Sequence, residues 1–306
     1  CGKDHPLLLP AIEFPQPCMS VAVHPRTKAD LDKLGPSLAR IAEEDPSLKV
    51  YRDADTMETV ISGMGETHLE VVAGKMQRKF GVDIMIETPK IPYKETVTTS
   101  TKAEYKHKKQ TGGHGQYGHV FLELEPLGRG AGCEFQNRIV GGVVPKNYIP
   151  AVEKGVVEAL HEGVLARYPV VDIKVTLYDG SYHTVDSSDM SFKIAGAHAL
   201  RKGLSEGNPV LLEPIVNMSI SVPESYTGDI MGDLNSKRGK VLGMTPQGGW
   251  NIIEAQAPLA EVQRYAIDLR SMTQGRGSFQ MELSHYEEVP AHVTQRVIAA
   301  REKEKG

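Results

Sequence analysis

The chain has 306 residues, of which 40% are hydrophobic, 24% charged and 6% aromatic, and its formal net charge is -4. This length suits two or three domains, of which we expect three, and the composition excludes a disordered chain. The net charge argues against a protein coated in basic residues. The sequence contains neither a long apolar run nor a secretory signal, so we expect a cytoplasmic protein without a membrane partner.

The opening of the chain shows no helix or strand period and contains Pro6 and Pro10. We expect residues 1–11 to be a linker from an upstream domain that is missing here. The three cysteines, Cys1, Cys18 and Cys133, share no metal-binding or redox spacing, which indicates reduced thiols and no structural disulfide.

Residues 12–91 predict a β-α-β-β-α-β module, the order of a ferredoxin-like split sandwich. The first helix begins at a capping-box-like signal, Thr27-Lys-Ala-Asp30, although Gly35 and Pro36 weaken its second turn. The second helix covers 66–80, and Gly81 ends it. Its apolar stripe is Leu69, Val72, Met76 and Phe80. The expected strands are 19–24, 48–52, 59–62 and 82–86.

Residues 92–212 predict a different α+β domain with longer strands. The expected strands are 97–105, 120–125 and 170–178, and the expected helices are 149–161 and 191–207. Residues 213–289 then return to the ferredoxin-like order. Their expected strands are 215–222, 239–244, 251–256 and 278–284, with helices at 226–237 and 259–273. A terminal helix over 290–305 is opened by Pro290. The predicted fold class is therefore α+β, with two ferredoxin-like modules flanking the middle domain.

The first loop of interest, residues 111–118, holds four glycines after a lysine-rich strand. Glycine lets the backbone approach a partner closely, and Lys102, Lys106, Lys108 and Lys109 supply a positive field for a phosphate chain. A flexible hairpin with a solvated, charged stem fits the same residues. A nucleotide-binding P-loop does not, because the Gly-Lys-Ser/Thr ending and the helix after it are absent.

The second loop, residues 178–188, places Tyr182 and His183 among turn formers. A histidine can donate or accept hydrogen bonds near neutral pH. An exposed turn histidine without a function is the plainer interpretation.

No catalytic motif is found, so we expect no enzyme activity in this chain and no metal site. Residues 63–68 predict a strand-to-helix turn, and Glu66, His68 and Glu70 lack the second histidine of a zinc helix. Basic side chains beside glycines at the ends of elements suit contact with phosphate, although ordinary helix C-caps have the same residues. These are Lys237, Arg238, Arg270 and Arg276.

Several phrases occur together in an order that resembles bacterial elongation factor G or an elongation factor G-like paralogue. They are Ile61-Ser-Gly-Met-Gly-Glu66, Gln110-Thr-Gly-Gly113, Gly115-Gln-Tyr-Gly-His119, Gly141-Gly-Val-Val-Pro-Lys146, Tyr178-Asp-Gly-Ser-Tyr-His183 and Arg270-Ser-Met-Thr-Gln-Gly-Arg-Gly277. The resemblance implies that 12–91 is the family's third domain, 213–289 its fifth, and 92–212 its fourth, with a ribosomal-protein-S5-domain-2-like fold and the helix 290–305 packed on it.

The resemblance also implies a monomer that acts on the ribosome during translocation, with ribosomal RNA and proteins, transfer RNA and messenger RNA as partners. The nucleotide-binding half, with its GTP and Mg²⁺, would lie upstream, and no cofactor is expected here. Transfer and messenger RNA would meet Gly112, Gly113, His114, Gly115, Gln116, Tyr182 and His183. Ribosomal RNA would meet the four basic residues near the end.

Two positions depart from the family pattern, since His114 stands where arginine is usual and Thr67 where leucine is usual. These departures indicate an elongation factor G-like paralogue. A ribosome recycling or ribosomal protection factor on the same scaffold is an alternative. A stand-alone RNA-binding module is another, although the ferredoxin-like strands lack the aromatic pairs of an RNA-recognition motif.

Overall fold

A computed structural model describes residues 12, 14–110 and 115–303. The chain is a mixed α+β protein with several sheets, which confirms the predicted fold class. It divides into two compact units. The first unit consists of the described residues up to Ile91 together with Val216–Leu283, and the second consists of Pro92–Ile215 together with the residues from Ser284 onward.

The opening module of the first unit is an antiparallel sheet covered by two helices. Its elements are β1 (Met19–Pro25), α1 (Lys28–Glu44), β2 (Lys49–Arg52), β3 (Thr59–Gly63), α2 (Glu66–Phe80) and β4 (Ile84–Glu87). The strand order β2-β3-β1-β4 is that of a ferredoxin-like sandwich, and every pairing is antiparallel. The predicted β-α-β-β-α-β order is confirmed.

The two helices follow their sequence signals with one difference at the start of α1. Thr27 stands at the N-cap but makes no capping hydrogen bond to the backbone; its hydroxyl donates to the Asp30 carboxylate at 2.6 Å. Pro36 lies inside α1 without ending it, because Leu38 and Ile41 beyond it are fully buried. Helix α2 ends as predicted at Gly81, whose φ of 62° is the left-handed conformation that glycine adopts without strain.

The second module of the first unit has the same topology. Strands β5 to β9 belong to the second unit and are described below. The elements of this module are β10 (Pro209–Pro223), α5 (Thr227–Ser236), β11 (Lys240–Gln247), β12 (Trp250–Pro258), α6 (Leu259–Val262), α7 (Tyr265–Met272) and β13 (Ser278–Glu288). The first unit contains β10 from Val216 onward and β13 up to Leu283. The sheet order β11-β12-β10-β13 again matches a ferredoxin-like sandwich.

The predicted single helix over 259–273 is wrong. It is two helices, α6 and α7, separated at Gln263 and Arg264. Arg264 leaves helical geometry with φ -108° and ψ 19°, and the side-chain amide of Gln263 donates to the Pro89 carbonyl at 2.6 Å. That tertiary hydrogen bond accompanies the break, and periodicity alone cannot reveal it. Ala266 and Ile267, just after the break, pack against the core of the opening module.

The second unit is built on a four-stranded sheet with helices on one face. Its elements are β5 (Lys94–Val97), β6 (Thr101–Lys109), β7 (Gln116–Pro126), β8 (Cys133–Asn137), α3 (Ile149–Leu160), β9 (Ile173–Ser181), α4 (Asp189–Glu206) and, at the end of the chain, α8 (Ala291–Lys303). The sheet order is β6-β7-β9-β8, with β8 parallel to β9 and the other pairs antiparallel. Helix α4 packs on β6 and β7.

Two expectations for this unit are corrected. The predicted strand 97–105 is two strands, β5 and β6, with a bend at residues 98–100. Strand β5 leaves the main sheet and pairs with residues 209–212 of β10. Strand β8 was not predicted, because its exposed residues lack an alternating apolar pattern.

A buried carboxylate holds a loop of the second unit. Glu95 is 1% exposed and accepts hydrogen bonds from the backbone N–H groups of Leu165, Ala166 and Tyr168 at 2.9, 2.8 and 3.1 Å. A buried charge survives only with such partners. Glu95 therefore fixes the backbone of residues 165–168.

Cys18 and Cys133 are free, and burial raises the pKa of both thiols. Cys1 lies outside the described residues. Among the described helices, none is long and apolar enough to cross a bilayer.

Candidate nucleic-acid interface

The two loops singled out in the sequence meet at one end of the second unit, where β6, β7 and β9 terminate. Gly112, Gly113 and His114 of the first loop lie outside the described residues. Gly115 and Gln116 are described, and the Gln116 side-chain oxygen lies 2.9 Å from His107 Nε2. The second loop is shorter than predicted, because β9 extends through residues 178–181.

Asp186 joins the two loops. Its carboxylate oxygen Oδ1 accepts the N–H of Gly115 at 3.0 Å, and its main-chain carbonyl accepts the N–H of Tyr117 at 2.8 Å. Ser187 adds a third link, since its hydroxyl donates to the Tyr117 carbonyl at 3.0 Å. A Cβ at position 115 would lie 2.9 Å from the Asp186 Cγ, so a larger residue there would displace the side chain that links the loops. Sequence reasoning missed Asp186, because nothing local indicates a partner 71 residues away.

Hydrogen bonds within its own loop orient the His183 ring, and its Nδ1 also lies 3.3 Å from the Asp186 carboxylate. Its Nδ1 accepts the backbone N–H groups of Val185 and Asp186 at 3.3 and 3.1 Å, and its own N–H donates to Ser187 Oγ at 2.9 Å. Because Nδ1 acts as an acceptor, the hydrogen-bond pattern assigns the proton of the neutral ring to Nε2. The side chain is 52% exposed, so the ring can donate a hydrogen bond to an outside partner.

Two aromatic rings stand beside His183. Tyr182 is 46% exposed, and the ring centroid of Tyr117 lies 6.2 Å from that of His183. The ammonium of Lys106 lies 5.4 Å from the Tyr117 ring centroid. A histidine, exposed aromatic rings and a lysine form a surface that suits irregular or single-stranded RNA.

A third segment, residues 141–148, reaches the same end of the unit, and its start belongs to one of the phrases that resemble elongation factor G. Gly141 and Gly142 both have φ of 73°, which turns the chain so that Val144 contacts Gly180 of β9. The Tyr148 hydroxyl then donates to the Ser187 carbonyl at 3.2 Å, and its ring stacks on Phe192. The glycine pair was the available signal, since only glycine adopts this conformation readily.

The basic residues of the first unit have different surroundings from one another. Lys237 forms ion pairs with Asp233 and Asp268 at 3.5 and 3.0 Å, and Arg238 pairs with Glu261 at 3.1 Å. Burial opposes the charge of Lys237, but the two carboxylates outweigh it and raise the pKa of its ammonium.

Arg270 and Arg276 are exposed, and the Arg276 guanidinium lies over the Tyr226 ring and donates to its hydroxyl. Of the four predicted phosphate-binding residues, these two have less intramolecular compensation of their charge than Lys237 and Arg238.

The segment 63–68 is the strand-to-helix turn that was predicted. His68 Nδ1 accepts the N–H of Met64 at 3.1 Å, so its Nε2–H donates to the Asp45 carboxylate at 3.0 Å. The hydroxyl of Ser47 is the main cause that holds the pKa of Asp45 below its ordinary value, with a smaller contribution from His68. The described residues contain no group of three His, Cys, Asp or Glu side chains placed to hold a metal ion.

Comparison with known proteins covers nearly the whole chain. Residues 14–88 match the family model of elongation factor G domain III, residues 89–208 that of domain IV, and residues 210–297 that of the elongation factor G C-terminus. A crystal structure of a protein from Thermus thermophilus is 44% identical, with a TM-score of 0.83. The similarity covers 96% of this chain and 44% of that one, so this chain spans less than half the length of its solved relative.

Proposed function

Because this chain belongs to the elongation factor G family, we propose that it is the ribosome-binding part of a translation elongation factor and promotes translocation. In this proposal residues 12–91, 92–212 and 213–289 are the family's third, fourth and fifth domains, and the helix over 290–305 packs on the fourth. The fourth domain enters the decoding region, where its two loops contact transfer RNA and messenger RNA.

The observation that supports this proposal is that Asp186 links the two loops by hydrogen bonds. A loop that displaces an RNA has to keep its shape while it is pushed, and flexible hairpins lose binding free energy when they become ordered. Three hydrogen bonds between the loops reduce that loss. The contact itself needs shape, stacking and hydrogen bonds to the RNA, and no bond making.

The chemistry of nucleotide hydrolysis is assigned to a separate domain in this proposal. GTP and Mg²⁺ would bind there, and the present residues would hold no cofactor and act as the part that touches RNA. Arg270 and Arg276 would meet ribosomal RNA from the fifth domain, with Lys237 and Arg238 contributing less because carboxylates already balance them.

The test is co-sedimentation of this chain with 70S ribosomes across a salt series. The variant carries His114→Ala and His183→Ala, and the control carries Lys79→Ala, a surface lysine of α2 that pairs with Glu44. We expect salt-sensitive binding that weakens in the double variant and persists in the control. Chemical probing of 16S ribosomal RNA in the pelleted complex should show protection in the decoding region.

Two results would count against the proposal. If the double variant pellets as well as the control, the loops are not part of the interface with the ribosome. Protection confined to the bridges between the ribosomal subunits would favour the recycling function on the same scaffold.

A further inference from the structure

We propose that the helix-free face of the sheet β6-β7-β9-β8 is a second RNA-binding surface, on which unpaired bases of a single-stranded RNA stack. Its rings, which we call the stacking face, are Tyr117, His119, Phe121 and Tyr178. This surface lies along the strands rather than on the loops, and it goes beyond the loop contacts proposed above.

The alternation of β7 places three of these rings on one face. Val120, Leu122 and Leu124 are fully buried and point into the core under the helices. Side chains alternate along a strand, so residues 117, 119 and 121 point to the opposite face. All three are partly exposed.

The fourth ring comes from the neighbouring central strand. The ring centroids of Phe121 and Tyr178 are 6.0 Å apart, and those of His119 and Phe121 are 4.6 Å apart. A register shift lies between Phe121 and Leu122 in the pairing of β7 with β9. It places Tyr178 beside Phe121, which the sequence alone does not indicate.

Rings on the two central strands of a four-stranded sheet are the arrangement with which RNA-recognition-motif sheets stack two or three bases. The ferredoxin-like strands lack such pairs of rings. They occur on the middle domain's sheet instead, on strands separated by about 50 residues.

Lysines beside the rings favour RNA over an apolar protein partner. Strand β6 presents Lys102, Lys106 and Lys108 to the same face, opposite Glu123, His119 and Tyr117 in the pairing register. The ammonium groups of Lys106 and Lys102 each lie 5.4 Å from a tyrosine ring of the stacking face. Such lysines can contact the phosphates of a strand whose bases lie on the rings.

Carboxylates reduce the positive charge at the far end and in the middle of the face, since Glu104 and Asp179 both stand opposite Phe121 in the pairing register. Lys102 pairs with Glu123 at 3.4 Å, and Glu104 pairs with His119 at 3.5 Å. In the part of the chain that the structure describes, Lys106 and Lys108 form no ion pair. The end of the stacking face nearest the two loops is therefore the more positive one, and an RNA strand would be held there.

The sheet of the opening module supplies a matched control. Among the described residues, the rings on its outer face are Tyr51, which is 48% exposed and lies beside the hydroxyls of Ser20 and Ser62, and His24, which lies two strands away. One ring without neighbouring rings stacks fewer bases than a row does. Tyr51→Leu therefore removes an exposed aromatic side chain from a sheet face that we expect not to bind RNA.

The experiment is a fluorescence anisotropy titration of a labelled single-stranded 12-nucleotide oligouridine with the full chain, in the absence of ribosomes. Phe121→Leu keeps an apolar side chain of similar size and removes the ring, and we expect binding to weaken roughly tenfold. Phe121→Tyr keeps the ring and should bind within roughly twofold of the original chain. Tyr51→Leu should leave the affinity unchanged.

Salt dependence tests the lysines separately. Replacing Lys106 and Lys108 by glutamine should reduce the slope of log affinity against log salt by about 0.7 for each phosphate contact that is lost. A 12-base-pair RNA duplex should compete weakly, because its bases are not free to stack on the rings.

The proposal is overturned if the original chain does not bind oligouridine, if Phe121→Leu binds as well as the original chain, or if the duplex competes equally. Circular dichroism establishes that each variant is folded. Since no ribosome is present, failure here leaves the loop proposal standing, and failure of the co-sedimentation test leaves this one standing.

Discussion

The second unit and the last module of the first unit use buried or half-buried polar groups in different ways. In the second unit Glu95 and Asp186 accept hydrogen bonds from the backbone and thereby fix the course of loops. In the last module Lys237 and Arg238 pair with other side chains, and the buried Tyr265 hydroxyl has no hydrogen-bond partner among the described residues. A carboxylate bound to backbone N–H groups determines backbone shape, whereas a pair of side chains compensates charge.

The largest expected effect concerns Glu95, the fully buried carboxylate of this comparison. Glu95→Ala leaves three backbone N–H groups without acceptors, and we expect it to lower the free energy of unfolding of the second unit by about 3 kcal/mol or more. Urea unfolding followed by far-UV circular dichroism would measure the loss.

Trp250 provides the internal control, because it is the one tryptophan in the sequence and lies in the first unit. Its fluorescence should report an unchanged transition in Glu95→Ala. A variant whose circular dichroism transition also stays in place would show that Glu95 does not stabilise this loop.

The next effect concerns the link between the two loops. Asp186→Ala removes the acceptor of the Gly115 N–H, and we expect that amide to exchange its hydrogen roughly tenfold faster, the equivalent of about 1.4 kcal/mol of local stability. Hydrogen exchange followed by NMR measures it. Asp186→Asn keeps an oxygen acceptor and serves as the matched control, and equal rates in all three proteins would contradict the role given to Asp186.

Asp45 supplies a pH-dependent test in the opening module. Its pKa is lowered in the folded state, so its stabilising contribution is present above the ordinary pKa and is lost as the pH falls through the folded value. We expect Asp45→Asn to cost about 1 kcal/mol at pH 7 and to remove this part of the acid sensitivity. Urea unfolding at pH 7 and below pH 4, followed by Trp250 fluorescence, compares the two proteins; parallel losses with acid would refute the assignment.

The smallest expected effect has the opposite sign. Tyr265 is fully buried, and burial raises the pKa of its hydroxyl, which has no partner among the described residues. Tyr265→Phe keeps the edge-on contact with Phe279 and removes the unsatisfied group, so we expect stability to stay equal or to rise by about 1 kcal/mol. A clear loss in the Trp250 transition would reveal a hydrogen bond to this hydroxyl that is important for the fold.

Local signals predicted the ferredoxin-like modules well. Helix α2 follows from its apolar stripe and from Gly81 at its end, and both module topologies follow from the order of the elements. The same signals failed where one residue's partner lies far away. The break between α6 and α7, the pairing of β5 with β10, and the exposed strand β8 all depend on contacts across the chain.

The candidate sites divide in the same way. The glycines and lysines of the first loop and the exposed His183 could be found from the sequence, because they carry their chemistry in their residue types. Asp186 could not, since its partner is Gly115, and neither could the contact between Phe121 and Tyr178, which depends on the register of two strands.

The sequence by itself determined the α+β class, the two ferredoxin-like modules and the family resemblance, because periodicity, caps and motif order act over short stretches of chain. Only the tertiary structure decided which loops are joined, which cations are already paired, and which rings share a face. These features depend on distances between residues far apart in the sequence, and such distances are set by packing and strand register rather than by local preference.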